Sequence, residues 1–341
     1  MFVEGDVVAD KLRVGLIGAG RIGQVHAHSV MSHPGTHLVS IASRYLEGAQ
    51  SLAHEHGVSA TDNPEELFDS AAIDALIIAS PTATHVDFIE KAIDAGIPAL
   101  CEKPIDLDIA RVDAIREKVL ASSTPIAIGF NQRFDPHFAQ LHRRVEAGEI
   151  GALEQLVIIS RDPAPAPLDY LAVSGGILRD QTIHDFDMAR FFVGNIVSVT
   201  AQGFNQFSEE IKGIGDYDAV TVTLRGENDE SVTIINSRHC AYGYDQRLEA
   251  FGDQGMLRVD NVSDTLVRHF SSSGVEALEP YQSFFLERYM DSYRVELDEF
   301  VAKIRTGEST SPTFEDGRAA LIVADAATQS AHTGATVAIS P

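Results

Sequence analysis

The chain has 341 residues, of which 44% are hydrophobic and 22% charged. That is room for two domains at roughly 150 residues each, and it excludes fibrous, disordered and disulfide-stapled chains. Lys and Arg number 26 against 50 Asp and Glu, a formal charge of −24, and a field of that sign repels nucleic-acid backbones and anionic membranes while leaving a neutral small molecule unhindered. No apolar run reaches the ~18 residues of a membrane span, and the short acidic start, residues 1–11, lacks the basic, apolar, small-residue order of a secretory signal. Two cysteines, Cys101 and Cys240, are too few for a disulfide framework and suit a reducing compartment. These features predict a cytoplasmic protein whose partner is neither nucleic acid nor membrane.

The first third alternates short apolar runs with amphipathic stretches. Strands are predicted at 13–18, 37–43, 74–80, 97–102 and 126–130, and helices at 21–32, 47–56, 84–95 and 108–121. Such alternation argues for βαβ units and a doubly wound parallel sheet. After about Gly151 the texture changes. Strands are predicted at 153–160, 196–203, 219–225, 231–238, 246–251 and 256–259, several joined by turn signals such as Gly226-Glu227-Asn228-Asp229 and Gly252-Asp253-Gln254-Gly255. Few helices intervene, so this half reads as an α+β domain with a large, open, mostly antiparallel sheet. Helical patterns return at 293–306 and 314–329. The fold class is therefore α/β, with a Rossmann domain over 1–132 and a second, substrate-binding and oligomerising domain over 133–341. Residues 162–167 are a Pro-rich loop, too short for a linker.

Gly18-Ala19-Gly20-Arg21-Ile22-Gly23 follows the first strand and opens the first helix. In that context G-x-G-x-x-G is a dinucleotide fingerprint. Gly18 permits the tight turn, Gly20 lets backbone approach a pyrophosphate, and Gly23 lets helix and strand pack. The helix N-terminus supplies N–H groups to the anion, with Arg21 and Ile22 in its first turn. NAD-preferring folds usually place an acid at the end of the second strand; here stand Ser43 and Arg44. A hydroxyl donor and a guanidinium suit a 2′-phosphate, so the pair favours NADP over NAD, with Arg44 as a mere surface charge the alternative.

Two further segments carry chemistry. Cys101-Glu102-Lys103-Pro104 closes the fourth strand, at the strand end where α/β folds place ligands. A lysine there can stabilise or shuttle the proton of a substrate hydroxyl, or be an ordinary surface lysine. In Gly175-Gly176-Ile177-Leu178-Arg179-Asp180-Gln181-Thr182-Ile183-His184-Asp185-Phe186-Asp187, Asp180 and His184 share a face if the segment opens one helix. A carboxylate beside an imidazole fixes its tautomer and supports a base, and Asp187 is a candidate second partner for that histidine. A surface or capping pair is the plain alternative.

The glycine turn, the E-K-P tripeptide and the GG-x3-D-x3-H-D-x-D segment, in this order and spacing, resemble the Gfo/Idh/MocA oxidoreductases over about residues 12–330. That resemblance implies Lys103, Asp180 and His184 as the catalytic trio. It also places Ser80, Thr82 and His85, just past the third strand, and Glu102 beside the cofactor. Gly129-Phe130-Asn131-Gln132-Arg133-Phe134-Asp135, Ser160-Arg161-Asp162-Pro163, Tyr242-Gly243-Tyr244-Asp245-Gln246-Arg247 and Phe285-Leu286-Glu287-Arg288-Tyr289 are similar to stretches of inositol 2-dehydrogenases. The implied reaction is oxidation of a cyclic polyol, myo-inositol first, by hydride transfer to nicotinamide. An NADP-dependent scyllo-inositol or aldose dehydrogenase is the alternative within the class, and a non-catalytic dinucleotide sensor the alternative outside it.

A polyol is neutral and rich in hydroxyls, so its site needs many fixed donors and acceptors rather than a cation cluster. Asn131, Arg133, Asp162, Asp180, His184 and Tyr244 offer such a set. The pairs His26/His28 and His54/His56 are i, i+2 neighbours on helical segments and face different sides, so no metal is expected. An exposed sheet face in this fold implies association, and a homotetramer is expected.

Overall fold

The computed structural model describes residues 11–339; the acidic residues 1–10, read above as lacking a signal sequence, lie outside them. The described residues divide into two units, 11–129 with 293–314, and 130–292 with 315–339. The return of residues 293–314 to the first unit was not anticipated.

In the first unit β1 (Leu12–Ile17), α1 (Arg21–Ser32), β2 (Thr36–Ala42), α2 (Leu46–His56), β3 (Ser59–Thr61), β4 (Ala75–Ile78), α3 (His85–Ala95), β5 (Ala99–Glu102), α4 (Ile109–Ala121) and β6 (Ile126–Gly129) alternate along the chain. The sheet order is β3-β2-β1-β4-β5-β6, with every pairing parallel. All four residues of β4 and of β5 are buried, as befits strands covered on both faces. Leu297, Phe300 and Val301, from the returning segment, join Val14, Leu16, Leu38, Ile41 and Ile77 in one core. Sequence punctuation explains the helix limits. Asp108 caps α4 by accepting from the Ala110 N–H at 2.9 Å, and Gly57 and Gly96 close α2 and α3 in the left-handed conformation that glycine takes without strain.

The second unit runs α5 (Pro136–Glu146), β7 (Leu153–Arg161), α6 (Leu168–Leu171), α7 (Ile177–Asp180), α8 (Thr182–Val193), β8 (Ile196–Phe204), α9 (Glu209–Gly213), β9 (Ala219–Gly226), β10 (Ser231–Ser237), β11 (Asp245–Gly252), β12 (Gly255–Val259), β13 (Arg268–Ser271), β14 (Gly274–Leu278), α10 (Phe285–Thr306), α11 (Phe314–Thr333) and β15 (Val337–Ala338). Helix α10 starts eight residues before the predicted 293, and its residues from Tyr293 onward belong to the first unit. The seven-stranded sheet has the order β12-β11-β7-β10-β9-β8-β15. Only β7 and β10 pair in parallel, and the two turn signals close the hairpins β9–β10 and β11–β12. Along β9, Val220, Val222 and Leu224 are buried while Thr221, Thr223 and Arg225 are exposed, the alternation of a sheet covered on one face. Helix α5 was missed in the sequence. It is opened by Asp135, which accepts from the N–H groups of His137 and Phe138, and by Pro136 at its first position.

Candidate active site

In the first unit the ligand-facing ends of the parallel strands are built mostly from backbone. Gly18 sits at φ +115°, and a Cβ there would lie 2.2 Å from the Ala79 carbonyl oxygen. A Cβ on Gly23 would lie 2.0 Å from the Gly18 carbonyl oxygen, which is the close helix–strand approach the motif demands. Gly20 differs: a Cβ there would meet nothing within 4 Å. Gly20 is the N-cap of α1, no side chain caps that helix, and its first turn carries no acid. An open flank beside an uncapped helix start, with its positive dipole end, fits a pyrophosphate. Arg21 is exposed and Ile22 half-buried at that turn.

Ser43 follows β2, and its Oγ accepts from the Tyr45 N–H at 3.3 Å. Arg44 is exposed, with its guanidinium carbon 5.1 Å from the centre of the Tyr45 ring. Past β4, Ser80 Oγ and Thr84 Oγ1 are 2.7 Å apart, and Thr82 is half-buried. His85 departs from expectation. It is 1% exposed, and its two ring nitrogens lie 2.8 Å from the carbonyl oxygens of Pro104 and Ser80. Burial holds it below the usual imidazole range. It ties the loop after β4 to the Lys103–Pro104 turn instead of presenting a group to a ligand.

Glu102 also turns inward. Its Oε1 lies 2.9 Å from His26 Nε2, and its Oε2 accepts from the Lys103 N–H at 3.3 Å. A Cβ on Gly129 would come within 3.2 Å of this carboxylate, so the glycine makes room for it. His26, set aside above with His28, is buried against Glu102 and meets Tyr293 edge-on at 5.7 Å. Glu296, on α10, is 1% exposed; burial first, and then the nearby Glu102, push its carboxyl well above the usual range. Sequence reading missed both groups, because 76 positions separate His26 from Glu102. Lys103 is half-buried and joined to Pro104 by a cis peptide bond.

In the second unit the Gly175-Gly176 pair takes φ +88° and +82°. Gly176 leads into α7, whose first amide, on Ile177, donates to Asp216 Oδ1 at 2.9 Å. The helix expected through this segment is interrupted at Gln181, so Asp180 ends α7 and His184 lies in the first turn of α8. Tyr170 Oη donates to Asp180 Oδ1 at 2.8 Å. Arg238, 1% exposed and paired with Asp216 at 2.9 Å, stands 3.6 Å from Asp180. His184 is half-buried and meets Phe130 edge-on at 6.0 Å.

Two expectations are revised here. Arg133 forks onto Asp187, at 2.8 and 2.5 Å, and reaches Asp316 at 3.1 Å. A planar guanidinium held in this way is a brace, so Arg133 supports α8 where a substrate contact was expected. Asp187 is correspondingly the partner of Arg133, where His184 was anticipated. Asn131 is buried, and its Nδ2 donates to Ser292 Oγ at 3.4 Å. Tyr244 is buried edge-on against Tyr289. Asp162 is half-buried at the end of β7, with its N–H donating to the Ser237 carbonyl. On the same segment, Gln181 Nε2 donates to the carbonyls of Ser160 and Ser237, each at 3.3 Å, and Asn236 Nδ2 donates to Asp185 Oδ2 at 2.6 Å.

A glycine-cradled helix start and a lysine at a parallel-strand end define a dinucleotide-binding unit. The second unit carries an acid and a histidine four residues apart, at the end of α7 and in the first turn of α8. Comparison with known proteins agrees. Residues 12–130 match the model of the oxidoreductase family with an NAD-binding Rossmann fold, and residues 138–258 match the GFO/IDH/MocA C-terminal domain. The inositol 2-dehydrogenase of Rhizobium meliloti is 42% identical over 94% of this chain and 96% of its own. The crystal structure of a myo-inositol dehydrogenase from Corynebacterium glutamicum superposes with a TM-score of 0.94 at 56% identity, covering 97% of this chain and 99% of that one. A scyllo-inositol dehydrogenase from Lactobacillus casei, solved with bound NAD(H) and scyllo-inositol, has a TM-score of 0.89 at 27% identity, over 96% and 99% of the two chains. The chain belongs to the GFO/IDH/MocA oxidoreductase family.

Proposed function

We propose that this protein is an NAD(P)-dependent inositol dehydrogenase that oxidises a ring CH–OH of myo-inositol to a ketone. The likeness over nearly the whole chain to the R. meliloti and C. glutamicum proteins, named for this activity, carries the reading. The observation that supports it in this molecule is the hydrogen-bonded setting of the Asp180–His184 segment, where Tyr170 holds Asp180, the Ser160 and Ser237 carbonyls hold Gln181, and Asn236 holds Asp185. Such a setting suits a substrate of many hydroxyls, since a site built to pair them rejects analogues that leave its polar groups unpaired.

When bound, the nicotinamide supplies the hydride acceptor. The residues that would hold the cofactor are Gly18, Gly20, Arg21, Ile22 and Gly23 at the phosphates, Ser43 and Arg44 at the adenosine ribose, and Ser80, Thr82 and Lys103 further along. The family is NAD-binding; Ser43 and Arg44, with no acid at either position, are what would admit and favour NADP. His184 takes the proton of the reacting hydroxyl at an imidazole nitrogen. Asp180, held by Tyr170 and Arg238, orients that exchange, and Lys103 stabilises the negative charge that develops on the oxygen. Asn131, Asp162 and Tyr244 are the remaining polyol contacts. The same reading has a cytoplasmic homotetramer. Its association surface is the uncovered sheet face on which half-buried Ile159 and Ile235 stand opposite one another.

The test is a rate screen of inositols and aldoses, each with NAD and with NADP, followed by product analysis. Turnover of myo-inositol to an inosose is expected, with kcat/KM no lower for NADP than for NAD. Good turnover of aldoses with every inositol inert would replace the substrate, and a strong preference for NAD would remove the assignment of Ser43 and Arg44.

A further inference from the structure

Asp185 follows His184 directly on α8. It is 1% exposed, as is Asn236 on β10. Asn236 Nδ2 donates to Asp185 Oδ2 at 2.6 Å and, at a longer 3.3 Å, to the Ser160 carbonyl. The second oxygen of each side chain, Asp185 Oδ1 and Asn236 Oδ1, has no hydrogen-bond partner among the described residues. Buried acceptors are rarely left without donors. One proton on Asp185 removes both deficits, because it converts Oδ1 into a donor and Asn236 Oδ1 into its acceptor. A carboxylic acid and a carboxamide are matched planar groups, and two antiparallel hydrogen bonds close the pair.

The surroundings favour that proton. The ionisable groups facing Asp185 are Asp162, after β7, and Tyr289, on α10, with His184 its neighbour along α8. Burial first and the negative Asp162 second raise the Asp185 carboxyl to about 7, against the opposing hydrogen bond from Asn236.

We propose that Asp185 and Asn236 form a closed acid–amide pair, with the carboxyl proton donated to Asn236 Oδ1, and that this neutral pair is a positioning element for His184. When the proton leaves to solvent, one of the two hydrogen bonds is lost and a negative charge appears one residue from His184, which favours the charged imidazole. The role assigned to His184 rests on the proposed function; the pair itself does not.

Folding favours the protonated form, so the sign of the pH dependence is fixed. The contribution of Asp185 to stability is greatest below the unfolded carboxylate value of about 4, falls as pH rises from there to about 7, and levels off above. Asp185→Asn keeps the shape, forms an amide–amide pair with Asn236, and does not titrate. The experiment is thermal unfolding of the protein without added cofactor, wild type and Asp185→Asn, from pH 4 to 8. The two should nearly coincide at pH 4, and the variant should unfold about 5 °C higher at pH 8. Infrared spectra of the wild type should show a protonated carboxyl band that fades with a midpoint near 7 and is missing from the variant. In the variant the ascending limb of the kcat/KM profile for oxidation should move to lower pH, because His184 no longer gains a negative neighbour.

A variant less stable than wild type at pH 8, or a wild type without that fading band, would overturn the pair and make Asp185 an ordinary ionised acceptor. If Asp185→Asn fails to fold, the same band in Glu296→Gln decides the matter, because that variant removes the other raised carboxyl and keeps Asp185. A wild type inert towards every inositol, yet showing the band and the Tm difference, would sink the proposed function and leave the pair standing.

Discussion

On the proposed function, the two units would recognise their ligands by different means. In the first, the features that fit a dinucleotide are backbone features: a glycine at φ +115° against Ala79, an open flank at Gly20, and an uncapped helix start. In the second, the side chains proposed to meet a polyol are held by partners far along the chain, as Asp180 is by Arg238. A phosphate carries its charge on oxygens that any correctly aimed N–H can meet. A ring of hydroxyls asks for donors and acceptors in particular places, and only side chains can vary enough to supply them.

That contrast can be broken from either side, and the largest expected effect is on catalysis. Lys103→Ala and His184→Ala should each lower kcat by about 10²–10⁴-fold, the usual worth of a general acid–base group. Dinucleotide affinity, measured by fluorescence titration, should persist in His184→Ala and fall by far less than kcat in Lys103→Ala, because the glycine turn holds the phosphates. The two losses should fall short of multiplying in the double variant, because both groups serve one proton transfer. A single variant with near-wild-type kcat would remove its residue from the mechanism.

A smaller effect, on the backbone side, is expected from Gly18→Ala. The added Cβ has the Ala79 carbonyl 2.2 Å away and the wrong backbone region besides, so it should destabilise the first unit by more than about 1 kcal/mol and weaken dinucleotide binding. Urea unfolding and the same titration would read both. Unchanged binding would show that the turn is not the phosphate site.

The same contrast explains what the sequence could tell. The glycine turn is local, and strand–turn–helix is written within about a dozen residues, so its place at the end of β1 was legible. So were eleven of the fifteen strands among the described residues and the two hairpin turns, because period-2 patterning and Gly-Asp or Gly-Glu turns are local signals as well; the short β3, β13, β14 and β15 were not. The partners of Arg133, His85 and Glu102 were not. Arg133 is bound by Asp187, 54 positions away, and Asp316, 183 away, and nothing in its own neighbourhood announces that its fork is filled. His85 looks like a cleft residue until both of its nitrogens are found against carbonyls. Glu296 was invisible for a related reason: it sits in an ordinary amphipathic helix, and only the fold brings it to Glu102. The start of α10 was placed late because Arg288 and Tyr289, polar-tipped residues, do not read as a core face, although both are buried.

The central claim is hydride transfer from an inositol carbinol to nicotinamide, and an isotope tests it most directly. Myo-inositol deuterated at the oxidised carbon should be turned over more slowly than the protiated sugar alcohol in single-turnover experiments. Its deuterium should appear in the reduced nicotinamide, with none released to water. Deuterium recovered in water, or no cofactor reduction with any inositol, would contradict the account.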